Sequence, residues 1–280
     1  MNFSYTASVI ICTFNRRKIL EEVLNHLDCQ VVAPDVSFEV IIVDDGSTDT
    51  TQEFVQRIIE ERAYRFDISY DNTGLTDTYG TSVARNKGIK KARGEYLLFL
   101  DDDTIPHTQW MDAHLTLLQK GEKVLTGCIT YNRAQLNTKL PITVDDDAMR
   151  RLQRLSEENN LTELMGGNVA LSRECIERAG LFDERFALGK TFGYEDIEYG
   201  HRLLIAGFRI RFNPNALIYS EAKPLALTKE REAVRAEAKK LWWHILTHPQ
   251  EGLPVTPLLY QYAARKKEEL AVRTVQGRRS

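Results

Sequence analysis

The sequence has no long apolar run. Nowhere in its 280 residues do about 18 apolar residues follow one another, which is the length that a membrane-spanning helix needs. We therefore expect no spanning helix. The first residues, Met1 to Ala7, also lack a basic stretch followed by an apolar one. This absence predicts that there is no secretory signal and that the location is cytoplasmic.

Cysteine is scarce and widely spaced. The four cysteines, Cys12, Cys29, Cys128 and Cys175, include no pair at CxxC spacing, and this argues against a zinc cluster. Without a secretory signal, we expect the thiols to stay reduced. Hydrophobic residues make up 42% of the chain, enough to form a core and to argue against disorder.

An overall excess of basic charge is also missing. The 37 Lys and Arg residues face 40 Asp and Glu residues, for a net charge of −3, and this excludes a general nucleic-acid binder. The charges are unevenly spread, because residues 223–280 carry 12 basic and six acidic side chains. We predict a boundary near residue 222, between a body of residues 1–222 and a basic helical tail of residues 223–280.

Apolar runs alternate with helical patterns in the first half, residues 1–131. Ser8–Phe14 is a continuous apolar stretch, typical of a strand covered on both faces, and Phe38–Val43 and Glu95–Leu100 are predicted as further strands. Strands that alternate with helices predict a mainly parallel α/β sheet flanked by helices. Residues 107–119 are predicted as a helix in the first half. Residues 132–222 are less regular, with 132–147 predicted as a loop and 208–212 and 216–219 as two extended segments. We expect both halves to share one sheet.

Polar residues follow three of the predicted strands. In open α/β sheets, ligands bind outside the carboxyl ends of the strands. Five carboxylates at one edge would repel one another unless a cation compensates, and carboxylates suit Mg²⁺ or Mn²⁺ completed by phosphate oxygens. The pattern therefore predicts a metal-bridged phosphate ligand, although Asp-Asp-Gly-Ser alone is equally typical of a turn and helix cap. These residues are Thr13, Phe14, Asn15 and Arg16, then Asp44 and Asp45, and finally Asp101, Asp102 and Asp103.

Two further segments carry candidate chemistry. Arg85 lies near the start of a basic predicted helix, where a guanidinium offers bidentate geometry to a diphosphate; its lysine neighbours are interpreted as a solvated face. Glu195 and Asp196 begin another predicted helix. Acids there favour the helix dipole, and a carboxylate beside the preceding Gly193 and Tyr194 also suits a general base.

Taken together, these motifs resemble the family 2 inverting glycosyltransferases of the GT-A fold, a Rossmann-like, mainly parallel sheet flanked by helices. The second half is similar to a galactosyltransferase-type C-terminal segment, and the resemblance covers roughly residues 6–221. The basic helical appendage lies outside it. The motifs are Val9-Ile-Ile-Cys-Thr-Phe-Asn15, Val40-Ile-Ile-Val-Asp-Asp-Gly-Ser-Thr-Asp49, Ala84-Arg-Asn-Lys-Gly88, Gly94-Glu-Tyr-Leu-Leu-Phe-Leu-Asp-Asp-Asp103, Gly166-Gly167-Asn168, Gly180-Leu-Phe-Asp-Glu184 and Tyr194-Glu-Asp196.

The resemblance implies a role for each matched residue. The nucleotide would be bound in residues 1–131 and the acceptor in residues 132–222. Asp196 would be the catalytic base with Glu195 as its acidic neighbour, and Asp103 and Asp101 would bind the metal. The nucleotide-binding residues would be Thr13, Phe14, Asn15, Arg16, Asp44, Asp45, Arg85, Asp101 and Asp102. The donor-sugar and acceptor site would contain Gly166, Gly167, Asn168 and Tyr194.

The implied activity is transfer of a sugar from a nucleotide donor, UDP-linked, to an acceptor hydroxyl with inversion. Mn²⁺ or Mg²⁺ would be the cofactor, and the acceptor would be a glycan, a glycolipid or a peptide. One position departs from the family, because many relatives have a metal-binding His where Ser220 stands. Either Glu221 or a water would then complete the metal site.

Two other functions share parts of this pattern. A sugar-1-phosphate nucleotidyltransferase should have a glycine-rich loop after the first strand, whereas Thr13-Phe-Asn-Arg-Arg17 contains no glycine. A non-catalytic nucleotide-sugar-binding partner of a synthase complex would explain the missing His, but it does not explain why Asp101, Asp103 and Asp196 are retained.

The tail has paired tryptophans after a basic stretch. Trp242 and Trp243 following Lys239 and Lys240 are compatible with peripheral contact at a membrane surface. The alternative is a helix packed on the body or on another subunit. We favour the alternative, because the apolar residues bunch at one end instead of forming a full stripe.

Overall fold

The computed structural model describes residues 3–75, 80–144, 146–186, 193–221 and 229–247. Their strands are β1 (Tyr5–Thr13), β2 (Phe38–Asp44), β3 (Asp67–Asn72), β4 (Gly94–Asp101), β5 (Thr104–Pro106), β6 (Val124–Thr130), β7 (Asn168–Ser172) and β8 (Ile210–Ser220). Their helices are α1 (Arg17–Asp28), α2 (Thr51–Glu60), α3 (Thr81–Lys91), α4 (Trp110–Gln119), α5 (Asp147–Glu157), α6 (Arg173–Ala179), α7 (Glu195–Ile205) and α8 (Lys229–Thr247), with 3₁₀ turns at Arg133–Asn137 and Glu184–Phe186.

One sheet contains strands from both halves of the body. Its order is β3-β2-β1-β4-β7-β6-β8-β5. The pairs β3–β2, β2–β1, β1–β4 and β6–β8 are parallel, whereas β7 is antiparallel to both β4 and β6. The mainly parallel α/β sheet and the sharing of one sheet are thus confirmed.

Helices cover both faces of this sheet and enclose two cores. One core packs α1, α2 and α4 on one face through residues such as Leu24, Phe54 and Trp110. The other packs α3, α5, α6 and α7 on the opposite face. Every residue of β2 is buried, which explains why its apolar residues Val40–Val43 follow one another instead of alternating with polar ones.

Two local predictions are corrected by the structure. The helix predicted from residue 107 begins at Trp110, because Thr104–Pro106 forms the short strand β5 against β8. The two extended segments predicted at 208–212 and 216–219 are one strand, β8, with a register shift opposite Gly127 and Cys128. The shift brings Pro214, which has no N–H to donate, into an irregular part of the strand, where proline is tolerated.

The described part of the tail is helical, as predicted. Helix α8 buries Ala238 and Trp242 in a small cluster with Phe186, Tyr194 and Ile197, so it packs on the body. Residues 223–228 and 248–280 of the predicted tail lie outside the described residues, and the boundary at residue 222 stays a prediction. Among the helices described, none combines the length and the apolar character that crossing a bilayer requires.

Candidate active site

The ends of β1, β2 and β4 meet at one edge of the sheet. These three strands are adjacent and parallel, with Thr13 paired with Asp44 and Cys12 paired with Asp101. The sequence-predicted polar residues that follow them are therefore neighbours, as the rule for carboxyl ends of strands anticipates.

The three aspartates at the end of β4, Asp101, Asp102 and Asp103, differ in exposure. The side chains of Asp101 and Asp103 are 50% and 38% exposed, whereas Asp102 is buried. Arg16 connects this turn to β1, because its Nη1 lies 3.0 Å from Asp102 Oδ1 and also contacts Asp103. The turn therefore offers two accessible carboxylates with one guanidinium beside them.

Asp102 supports the loop that follows β1. Its Oδ2 accepts a hydrogen bond of 3.4 Å from the Phe14 N–H. Burial raises the pKa of Asp102 to about 7, and the charge of Arg16 acts against that rise. This inward position suits a supporting residue, and direct contact of Asp102 with a nucleotide stays a prediction.

After β2, the two aspartates have separate environments. Asp44 is buried and accepts hydrogen bonds from the Ser47 N–H at 2.7 Å and the Tyr70 hydroxyl at 2.9 Å. Asp45 accepts from the Thr73 hydroxyl at 2.9 Å and from the Gly80 N–H, and burial raises its pKa. Asp45 is only partly buried, so it is the one of the two that faces the open edge.

Two Asp45 partners were not identified from the sequence. A Cβ at Gly80 would lie 2.1 Å from Asp45 Oδ1, so a side chain there would displace the Asp45 carboxylate. Thr73 and Gly80 lie in the Gly- and Thr-rich stretch before α3. That composition was the available signal, but local sequence does not say which carboxylate the stretch approaches.

The residues that follow β1 lead into α1 and contact the segment that precedes α2. Asn15 has a φ of 52°, and its Oδ1 accepts hydrogen bonds from the N–H groups of Thr48 at 2.7 Å and Asp49 at 3.2 Å. Phe14 is 52% exposed, while Thr13 is buried. The arrangement leaves an exposed aromatic ring at the edge where the nucleotide is predicted to bind.

Arg85 connects β4 with the start of α7. This buried guanidinium lies 3.0 Å from Glu195 Oε1 and 3.8 Å from Asp101 Oδ1. Its Cζ is 5.3 Å from the centroid of the Phe182 ring, a distance at which a cation is attracted to the ring face. The structure thus brings together three residues that the sequence placed in separate motifs.

Asp196 lies beside the Arg85–Glu195 ion pair and contacts Gly166. Its Oδ2 accepts a hydrogen bond of 3.3 Å from the Gly166 N–H, and its Oδ1 accepts one of 2.8 Å from the Ile197 N–H. Burial and, as a smaller cause, the charge of Glu195 raise the pKa of Asp196 to about 6, with Arg85 acting against that rise. A carboxylate with a raised pKa is a better proton acceptor.

A side chain at Gly166 or Gly167 would displace the Arg85 guanidinium or the Asp101 carboxylate. A Cβ at Gly166 would lie 2.7 Å from Arg85 Nη2, and one at Gly167 would lie 2.0 Å from Asp101 Oδ2. The Gly167 carbonyl also accepts a hydrogen bond of 3.2 Å from the Asp101 N–H. The glycine pair therefore lets β7 begin directly beside the side chains of Asp101 and Asp196.

Asn168 is placed in the core instead of on the surface of the site. Its Oδ1 accepts from Trp110 Nε1 at 2.8 Å and lies 3.1 Å from His114 Nε2. Its Nδ2 donates to the carbonyls of Cys128 and Ala216 at 3.1 and 2.9 Å. Because the side chain is fully buried and its amide is engaged in these bonds, its position does not support the predicted contact with a sugar.

Tyr194 precedes α7 and adopts a left-handed backbone, with a φ of 70°. Its ring centroid lies 5.6 Å from that of Trp242 in α8. The ring is half-buried and faces the tail helix, so its predicted place in the donor-sugar and acceptor site stays a prediction.

Asp101 and Asp103 are the residues whose chemistry fits a divalent cation. Among the described residues, no group of three His, Cys, Asp or Glu side chains is arranged to hold a metal. Two accessible carboxylates therefore fit Mg²⁺ or Mn²⁺ only if phosphate oxygens and waters supply the remaining ligands, as is usual for Mg²⁺. Ser220 pairs with Thr104 at the β8–β5 edge, and Glu221 follows it, exposed.

Curated relatives match most of this chain. The chondroitin synthase of Escherichia coli is 28% identical over 299 residues, which cover 96% of this chain and 40% of that protein. The validoxylamine A glucosyltransferase of Streptomyces hygroscopicus subsp. limoneus is 32% identical over 222 residues, covering 70% of this chain and 47% of that protein. The chain thus spans less than half the length of both relatives.

Solved structures share the fold. A mannosyltransferase from Pyrobaculum calidifontis in complex with GDP-Man and Mn²⁺ has a TM-score of 0.66 and 19% identity, over 94% of this chain and 70% of that one. TarS 1-349 of S. aureus in complex with UDP-GlcNAc has a TM-score of 0.63 and 19% identity, over 88% and 67%. These likenesses show the GT-A fold.

A family model describes the part of the chain that contains the three strand ends and the glycine pair. Residues 8–180 match the model "Glycosyl transferase family 2", which spans more than half of the sequence and includes Asp45, Asp101 and Gly167. The α7 and α8 helices lie beyond the matched residues. The chain therefore belongs to glycosyltransferase family 2.

Proposed function

We propose that this chain transfers a sugar from a nucleotide-sugar donor to an acceptor hydroxyl, with inversion of the anomeric configuration and with Asp196 as the general base. The observation that carries the proposal is the connected set of Asp196, Glu195, Arg85 and Asp101. Within this set, the buried Arg85 guanidinium contacts both Asp101 and Glu195. Glu195 is followed by Asp196, a partly accessible carboxylate of raised pKa.

The donor binds at the ends of β1 and β2 in this proposal. Asp45 contacts the base and ribose beside Asp44, and the loop of Thr13 to Arg16 borders the nucleotide. The structural neighbours hold UDP-GlcNAc and GDP-Man, which supports a nucleotide-sugar. The UDP complexes and the resemblance favour a UDP-linked donor.

Asp103 and Asp101 hold Mn²⁺ or Mg²⁺ in this proposal, and Mn²⁺ is present in the mannosyltransferase complex. When bound, the ion supplies Lewis-acid stabilisation of the leaving diphosphate. Arg85 and Arg16 lie beside the same carboxylates and provide guanidinium groups suited to phosphate oxygens. Cationic groups placed where charge develops in the transition state favour departure of the diphosphate.

Asp196 accepts the proton of the acceptor hydroxyl. The hydroxyl oxygen forms a new bond to the anomeric carbon from the side opposite the diphosphate, and the bond between that carbon and the phosphate oxygen breaks. Its electron pair leaves with the diphosphate. One displacement of this kind inverts the anomeric configuration, and the Gly166 and Ile197 N–H groups keep the Asp196 carboxylate in place.

A glycan is the acceptor that the relatives favour. Chondroitin synthase and hyaluronan synthase are named for glycan products, and a glycolipid or a peptide remains a less supported alternative. Peripheral membrane contact through the tail and a cytoplasmic location stay predictions. Trp242, which suggested membrane contact in the sequence, is buried against α7, and this favours packing on the body.

The test compares Asp196→Asn with the wild type. Turnover of UDP-sugars with Mn²⁺, with and without glycan acceptors, should fall by about 10²- to 10⁴-fold, while calorimetric UDP binding is unchanged. Asp147→Asn is the matched control, because Asp147 is exposed on α5. Equal turnover in wild type and Asp196→Asn would exclude Asp196 as the base, and UDP binding without any turnover would favour the non-catalytic partner.

A further inference from the structure

Helix α8 packs against the helix that carries the candidate base. Trp242 of α8 is buried, and its Nε1–H donates a 3.2 Å hydrogen bond to His201 Nδ1 in α7. The Trp242 ring centroid lies 5.6 Å from that of His201 and 5.6 Å from that of Tyr194. Trp242 therefore contacts Tyr194, directly before α7, and His201, which follows it by about two helical turns.

The contacts on α7 form a stripe at helical spacing. Tyr194, Ile197 and His201 are separated by three and four residues, so they lie on the same face. All three contact the tail helix. Burial lowers the pKa of His201 to about 4, so the ring is neutral at neutral pH and Nδ1 can accept the hydrogen bond from the Trp242 N–H.

The partners on α8 are spaced in the same way. Arg235, Ala238 and Trp242 lie three and four residues apart, with Ala238 fully buried and the Arg235 guanidinium 5.9 Å from the Tyr194 ring centroid. The described tail helix thus buries Ala238 and Trp242 and contacts Tyr194 through Arg235 and Trp242.

The first turn of α7 is held from the opposite side by the active site. Glu195 is paired with Arg85, and Asp196 accepts from Gly166. Tyr194 adopts its left-handed φ between these contacts and those of α8. A non-glycine residue keeps such a backbone only where its surroundings determine it.

We propose that Trp242 is a positioning residue for the reaction, which holds Tyr194, Glu195 and Asp196 where Asp196 can reach the acceptor hydroxyl. The described part of the basic tail is then a component of the catalytic unit, although it lies beyond the residues that match the family model. The inference deepens the proposed function and rests on it for its catalytic consequence.

The experiment uses the full chain with Trp242→Ala and Trp242→Phe. In Trp242→Ala, amide hydrogen exchange in the first turn of α7 should become faster. The kcat of sugar transfer should fall by about 10- to 100-fold, because small displacements of a catalytic group cost that much, while the donor KM is unchanged. Trp242→Phe keeps an aromatic ring but loses the N–H donor, so its kcat should lie between that of the wild type and that of Trp242→Ala.

Two controls separate positioning from general loss of stability. Phe54→Ala removes a buried ring from α2 in the other core and should lower the Tm without changing exchange in α7 or kcat at temperatures well below unfolding. Lys239→Ala changes an exposed residue of α8 and should leave kcat unchanged.

Hydrogen exchange decides the inference even if no transfer is detected, in which case only the proposed function fails. Unchanged exchange in α7 of Trp242→Ala would overturn the inference. Faster exchange with an unchanged kcat in an active enzyme would also overturn it. Faster exchange, a lower kcat and a constant donor KM would establish Trp242 as a positioning residue.

Discussion

Asp196 has the two properties that a general base needs, namely access to the site and a raised pKa. It is protonated at a pH well below its pKa of about 6 and cannot then accept a proton. We therefore expect kcat to rise with pH through about 6 and to level off above it. Transfer rates measured at saturating donor and acceptor test this profile, and a rate that is constant or that falls across this range would contradict it.

Glu195→Gln gives an independent test of the cause of that pKa. The variant removes the negative charge that raises the pKa of Asp196 and releases Arg85, whose charge lowers it. Both effects act in the same direction, so the midpoint of the profile should move to lower pH. A midpoint that moves upward would show that Glu195 does not influence Asp196 in this way.

Single residues were predicted well where chain direction alone determines their place. Asp45, Asp101 and Asp103 were expected at one edge because parallel strands end there, and the structure places them there. The orientation of Asp102 was not predictable, because an inward carboxylate depends on Arg16 and Phe14, which precede it by more than 80 residues. Asn168 also depends on distant partners in α4, β6 and β8.

Among the larger elements, the junction of α3, β4 and α7 depends on one buried ion pair. The side chains of Arg85 and Glu195 are 6% and 12% exposed, so removal of one charge leaves the other without a counterion. Arg85→Met should lower the free energy of unfolding by about 3–5 kcal/mol. Urea denaturation monitored by circular dichroism measures this change.

The matched control is the exposed pair of Arg57 and Glu61. Their side chains are 52% and 53% exposed, and such pairs contribute less than about 1 kcal/mol. Arg57→Met should therefore have little effect on unfolding. Equal losses in both variants would mean that the Arg85 pair is effectively solvated and does not join the three elements.

The central strands were predictable because burial on both faces leaves consecutive apolar residues, as at Val40–Val43 of β2. Strand β5 was not, because three residues carry no period and their pairing with β8 is set by residues more than 100 positions away. The antiparallel direction of β7 was equally hidden, since local sequence determines that a strand forms but not which way it runs relative to its neighbours.

For the whole molecule, donor binding should depend on the metal. At a donor concentration of 100 times Kd, a ligand that binds only the folded state stabilises it by about 2.7 kcal/mol. We expect UDP-sugars to raise the Tm in the presence of Mn²⁺ and not in the presence of EDTA. Asp103→Asn should abolish the rise in Tm that depends on Mn²⁺. An equal shift in EDTA would contradict a metal at Asp103.

Glu221→Ala in the same thermal-shift measurement tests whether Glu221 replaces the missing His. A weaker response to Mn²⁺ would support Glu221 as a ligand, and an unchanged response would leave water in that position. Asp147→Asn again serves as the control for the loss of one exposed carboxylate.

The direction of β7 has a consequence for how this active site can change. Because β6 and β7 are adjacent and antiparallel, the chain leaves the sheet after Thr130 and returns to it at Asn168, at the edge that carries the carboxyl end of β4. The part of this connection before Gly166 can change in length while the strands on either side keep their register. Under the proposed function, a change of acceptor can therefore be confined to one continuous stretch of chain, while the ends of β1 and β2 stay unaltered.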